Sequence, residues 1–123
     1  QKIMKDLSPV WVDGKGWTNF VEAWGYDIQG AIYQEIVFQN TGKRLPFILN
    51  VATKEEVPDK ALIEIDQERL DECLQIVKAN APRFDAIKRG EVVPHQCGKC
   101  NYCRSKKKVT GIFSYHALDK VYE

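Results

Sequence analysis

The chain predicts a small α/β domain, and three observations carry that prediction. Two long segments repeat apolar residues at three- and four-residue steps, the period of a helix. Two short, dense apolar runs lie between them and have strand character. Gly42 closes the first helical segment and Pro58-Asp59 separates the two apolar runs.

Taken in order, residues 3–16 (IMKDLSPVWVDGKG) are rich in turn formers and predict a strand end followed by a loop. From Asn19 to Thr41, Val21, Trp24, Ile28, Ala31, Ile32 and Ile36 form one stripe, so a single helix of several turns is expected, stopped by Gly42. Gly25 and Gly30 weaken its intrinsic propensity, which leaves tertiary packing to hold it. Leu45 to Thr53 (LPFILNVAT) is almost continuously apolar and predicts a strand buried on both faces. Lys54 to Lys60, with Pro58-Asp59, is a connection, and Ala61 to Ile65 is a second strand. Asp66 then caps a helix whose stripe is Leu70, Cys73, Leu74, Val77, Ala81 and Phe84, ending near Gly90. Pro82 is expected to kink or divide it.

The 123 residues suffice for one small domain, and no apolar run approaches the roughly 20 residues of a membrane span. With 18 Lys+Arg against 17 Asp+Glu, the net charge of +1 excludes nucleic-acid binding by bulk charge alone. Two strands and two helices make a thin core, so the pattern reads as the second half of an α/β domain: residues 1–90 in the core, and 91–123 a cysteine-bearing basic tail. The four cysteines are not spread as in a secreted disulfide framework, and the start Gln1-Lys2-Ile3-Met4 lacks a signal-peptide pattern. A reducing, cytoplasmic setting is expected.

Three groups of residues carry chemistry. In Gly25–Tyr33 (GYDIQGAIY), Tyr26, Gln29 and Tyr33 fall at i, i+3 and i+7 of a helix and share a stripe beside the Ile28/Ile32 one. That stripe is either the wall of a polar cleft or a helix edge packing by its rings. Cys97, Cys100 and Cys103, in C-x2-C-x2-C spacing around Gly98, converge easily on a soft or borderline metal. Three close cysteines and a distant fourth suit an iron–sulfur cluster, while zinc usually takes two C-x2-C pairs. Cys73 lies in an apolar stripe and reads as core, His95 reads as a plain loop residue with a fourth zinc ligand as the alternative, and His116 is assigned no role. The run Arg104-Ser105-Lys106-Lys107-Lys108 holds four positive charges in five residues, enough to contact phosphates or simply to be a solvated tail. Of Trp11, Trp17 and Trp24, which could stack on unpaired bases, Trp24 reads as core and Trp11, in a loop, as the candidate DNA contact.

GYDIQGAIY resembles the Q-x3-Y helix motif of RecB-like nucleases in the PD-(D/E)xK superfamily, in the form found in phage-type exodeoxyribonuclease VIII-like proteins. The resemblance extends over nearly the whole chain through the strand–strand–helix order and the late cysteines. It implies a restriction-endonuclease-like three-layer core, a mixed sheet flanked by helices, of which this chain holds only the second half. With Gln1 as the variable residue of D-x-K, Lys2 matches the family lysine, supported by Gln29, Tyr33 and Tyr26. The implied activity is Mg²⁺- or Mn²⁺-dependent hydrolysis of DNA phosphodiesters by an exonuclease of phage or prophage recombination, with DNA and a single-strand annealing protein as partners. The family's carboxylate ligands come from strands before the lysine and are expected upstream, and Asp6 and Asp13 read as loop acids. Some RecB-like nucleases place one cysteine before the core and three after it, which implies a 4Fe–4S cluster or Zn²⁺ at the trio. The alternative is a non-catalytic, metal-stabilised DNA-binding module built around those cysteines.

Overall fold

The strand with the densest apolar run lies at the centre of the sheet. In the computed structural model, which describes residues 1–118, β4 (Ile48–Thr53) is flanked by β1 (Lys2–Met4) and β5 (Lys60–Glu64) in the order β1-β4-β5. β1 runs parallel to β4, with Lys2 opposite Val51 and Met4 opposite Thr53. β5 runs antiparallel, with Leu49 opposite Ile63. The sheet is therefore mixed, and the parallel pair requires a crossover. α2 (Tyr26–Thr41) supplies it, followed in sequence by β4, β5 and α3 (Gln67–Lys88).

Side chains alternate across a strand. Leu49, Val51 and Thr53 are buried, and Leu49 and Val51 meet Ala31 of α2 and Leu70, Cys73 and Leu74 of α3 in one core that also takes Met4, Phe20 and Ile65. The other face carries Ile3, Ile48 and Leu62, all more than half exposed. The expected burial of β4 on both faces is thus corrected: among the described residues both helices pack on the Leu49/Val51 side. The α/β class holds, and these residues supply the sheet and one helical layer.

Three further expectations are revised. Residues 3–16 are not only strand end and loop, because β2 (Val10–Val12) and β3 (Gly16–Thr18) form an antiparallel hairpin. The helix expected over 19–41 is two helices, α1 (Phe20–Ala23), capped by the Asn19 side chain, and α2. Gly25 divides them at φ 68°, a left-handed conformation that costs glycine little. This break resets the helical phase. Trp24 is 60% exposed rather than core, and Ile28, Ile32 and Ile36 are also exposed. The buried residues of α2 are instead Asp27, Gly30, Ala31 and Gln34. Gly30 is needed for close approach, since a Cβ there would lie 2.6 Å from Cδ1 of Phe47. Gly42, at φ 69°, ends α2 as expected.

α3 begins after Asp66 and runs through Pro82 without being divided. Proline removes one intrahelical hydrogen bond, but the carbonyl four residues earlier belongs to exposed Lys78, where water can satisfy it. Only the first half of the predicted stripe is buried, and Ala81 and Phe84 are exposed. The tail adds α4 (Asn101–Lys106) and a 3-10 turn at Tyr115–Ala117, while residues 119–123 of the predicted tail lie outside the described residues. No helix among the described residues is long and apolar enough to cross a membrane.

Candidate active site and cysteine cluster

β1 and α2 bring together residues far apart in sequence. The Lys2 ammonium lies 4.5 Å from the centroid of the Tyr26 ring. A cation over a ring face is attracted by its quadrupole, worth about 0.5–1 kcal/mol at an exposed site. The Tyr26 hydroxyl in turn donates to Sδ of Met4 at 3.5 Å, so the ring is pinned to the same strand that carries Lys2. One turn further along α2, Nε2 of Gln29 donates to the Tyr33 hydroxyl at 3.2 Å. The Tyr33 ring meets Phe47 edge-on, with centroids 6.4 Å apart. The four residues singled out by sequence therefore form two contacting pairs. No hydrogen bond joins one pair to the other among the described residues.

The loop acids behave as loop acids. Asp6 accepts from the Ser8 amide at 2.9 Å, and that bond holds its carboxyl below the usual carboxylate range. Asp13 accepts from the Trp11 indole at 3.3 Å.

Sequence reasoning missed what fastens α2 in place. Asp27, 2% exposed, accepts on Oδ2 from both Nε (2.9 Å) and Nη2 (2.7 Å) of Arg69 in the first turn of α3. The bonds to Asp27 raise the Arg69 guanidinium further above its ordinary value. Gln34 and Gln67 exchange amide bonds at 2.8 and 2.9 Å, and Gln34 also donates to the Leu45 carbonyl at 2.7 Å. The available signal was the spacing of Asp27, Gly30, Ala31 and Gln34, a helical stripe of small and polar residues. Hydrophobic periodicity cannot detect such a face. Cys73 is fully buried beside the Asp27–Arg69 pair, and burial pushes its thiol up to about 11. It is core, as its stripe implied.

The cysteine trio does converge. The sulfurs of Cys97, Cys100 and Cys103 all lie within 4.8 Å of one another. The arrangement follows from the loop: the Cys100 amide donates to Cys97 Sγ at 3.3 Å, and the Cys103 amide to Cys100 Sγ at 3.4 Å as α4 begins. Gly98, at φ 73°, makes the turn between them. The amides of Cys100 and Lys99 draw the Cys97 thiol down to about 7. Three thiol groups at this separation fit a thiophilic metal, with a further coordination position left for another ligand. His95 is not part of the group. An open cleft of about 600 Å³ borders the trio, lined also by Lys99, Arg104, Lys106 and Lys107. Arg104 donates to Asn101 at 2.9 Å, and the Lys106 ammonium lies 6.0 Å from the Tyr102 ring centroid. Arg104, Lys106 and Lys107 thus share this cleft with Cys97 and Cys103.

The family described as a PDDEXK-like domain of unknown function matches residues 2–106, which span the Lys2 strand, the Tyr26–Tyr33 helix and the cysteine trio. The chain belongs to this PDDEXK-like family. Its mixed sheet and helices match that fold. The PDDEXK-like domain is also similar to the crystal structure of a "Putative exonuclease" from Eubacterium rectale, at 43% identity and a TM-score of 0.76. That similarity covers 95% of this chain and 44% of the other, so the chain spans less than half the length of its relative. No curated protein matches it.

Proposed function

We propose that this PDDEXK-like domain is part of a metal-dependent deoxyribonuclease acting as an exonuclease. The carrying observation is the Lys2 ammonium held over the Tyr26 ring, on the helix that also bears the Gln29–Tyr33 pair. A lysine ammonium is a compact charge with three donors, suited to a phosphate oxygen or an attacking water. Tyr26 and Met4 limit where that charge can go, and the Gln29–Tyr33 bond presents an amide and a hydroxyl on the same helix. The similarity to the E. rectale protein supports the exonuclease reading.

Such a nuclease uses Mg²⁺ or Mn²⁺, which prefer oxygen ligands. The described residues do not supply that site: the grouping they offer for a metal is the cysteine trio, which is soft. Cys97, Cys100 and Cys103 do fit a zinc ion or a 4Fe–4S cluster, which would fasten the tail. Residues 1–90 and the tail from 91 belong to one domain on this reading, and the family match running to 106 supports that. Arg104, Lys106, Lys107 and Lys108 would meet DNA phosphates, with Trp11 a further contact. We place the protein in the cytoplasm, in phage or prophage recombination with a single-strand annealing partner.

The test is hydrolysis of end-labelled linear and closed circular DNA by the full-length protein, with Mg²⁺ or Mn²⁺ and with EDTA. Cleavage that needs the metal and a free end supports the reading. Binding without cleavage in either metal would refute it.

A further inference from the structure

The β2–β3 hairpin displays two tryptophans. Trp11 of β2 and Trp17 of β3 are directly opposite in register, with ring centroids 5.7 Å apart and planes at 76°. A cross-strand pair can shield both rings. This one does not: Trp11 is 59% exposed and Trp17 73%. The Trp11 ring lies against Gly16, where a Cβ would come within 3.8 Å of it, and its indole N–H is engaged by Asp13. Its orientation is thus set from two sides. The base of the hairpin is firm, because Val10 and Leu7 pack against the core and β2 abuts α1.

The surroundings favour one kind of ligand. The turn that joins the two strands, Asp13, Gly14 and Lys15, sets polar groups next to the rings. Flat π-surfaces with polar edges suit flat π-ligands, and exposed Lys15 in the turn supplies a cation for a backbone phosphate. The location agrees. Lys2 and Trp11 are nine residues apart in sequence, at most about 32 Å even if extended, the length of about nine stacked nucleotides. α1 ties the hairpin to Gly25 and so to Tyr26 under Lys2.

We propose that Trp11 and Trp17 form a stacking platform for unpaired bases, so that the substrate class is DNA with a single-stranded end. The proposal rests on the deoxyribonuclease reading for its link to Lys2, but the binding itself is separable from cleavage. The experiment uses the full-length protein and a short oligothymidylate, with EDTA present, followed by tryptophan fluorescence and by anisotropy of the labelled strand. The wild type shows quenching on binding. Trp11→Ala and Trp17→Ala each weaken binding about 5- to 150-fold, the range for one stacked base. Trp17→Phe keeps a ring, reports on hairpin integrity, and retains most of the affinity. Unchanged affinity in both alanine variants, or no binding by the wild type, overturns the platform. So does a dimer that Trp17→Ala dissociates without changing DNA affinity, which would make the pair a protein contact. Parallel cleavage assays with Mg²⁺ separate the two claims. Cleavage by the wild type with unaltered binding in the alanine variants sinks only the platform. Tryptophan-dependent binding without cleavage upholds the platform and sinks the nuclease reading.

Discussion

Replacing Arg69 by methionine tests how α2 is held against α3. The side chain approximates the length of the arginine stem but leaves the Asp27 carboxylate, 2% exposed, without its two bonds at 2.7 and 2.9 Å. Removing one partner of a fully buried ion pair costs about 3–5 kcal/mol. Here the Arg69 side chain is 37% exposed, so water can reach the vacated space and the cost falls to about 2–3 kcal/mol. That is a roughly 30- to 150-fold change in the folded-to-unfolded ratio. Asp27→Asn on top of Arg69→Met removes the stranded charge and should recover about 1 kcal/mol. Urea unfolding followed by circular dichroism measures all three, with the slope checked for constancy. Arg89 is the internal control. Its pairs with Asp85 (3.2 Å) and Glu91 (3.3 Å) join half-exposed partners, so Arg89→Gln should cost less than about 0.5 kcal/mol. An Arg69→Met variant as stable as Arg89→Gln would refute the reasoning. So would a double variant less stable than Arg69→Met alone.

Other sites give independent expectations. Gly30→Ala should destabilise by about 1–3 kcal/mol in thermal unfolding, because its Cβ would meet Phe47 at 2.6 Å, and Phe47→Leu should partly relieve it. Tyr26→Leu should lower cleavage by about 2- to 5-fold, the worth of one cation–π contact, while Tyr26→Phe keeps the ring and stays near wild type. Labelling with a thiol reagent in metal-free native protein near neutral pH should reach three of the four cysteines. Cys73, buried and pushed up to about 11, should react only on unfolding. Equal labelling of all four in native protein would contradict its placement.

The elements best read from sequence were those governed by nearest neighbours. β5, the Gly42 stop, the helix start after Asp66 and the buried turn Leu70–Leu74 follow from local pattern, but the Asp66 side chain makes no capping bond. The cysteine convergence was legible too, since C-x2-C-x2-C spacing with one glycine leaves the sulfurs little room to separate. What failed depended on long-range context. The break at Gly25 turned a convincing apolar stripe outward, and the true buried face of α2 is polar because Arg69 and Gln67, more than 30 residues later, satisfy it. The second face of β4 cannot be judged from its own residues, because an apolar run does not say how many layers cover it. The approach of Lys2 to Tyr26 was likewise invisible to spacing and entered only through resemblance. It arises because β1 pairs parallel to β4, so that α2 has to cross the sheet face on which Lys2 lies.

The central claim is that Lys2 serves a phosphodiester-cleaving site, and its most direct measurement is the cleavage rate of Lys2→Ala against wild type. Both are full-length, with Mg²⁺ present and the variant shown to be folded by circular dichroism. Loss of one preorganised charged donor should reduce the rate by about 100- to 1,000-fold while DNA affinity changes far less. A Lys2→Ala protein that cuts DNA at the wild-type rate would contradict the account.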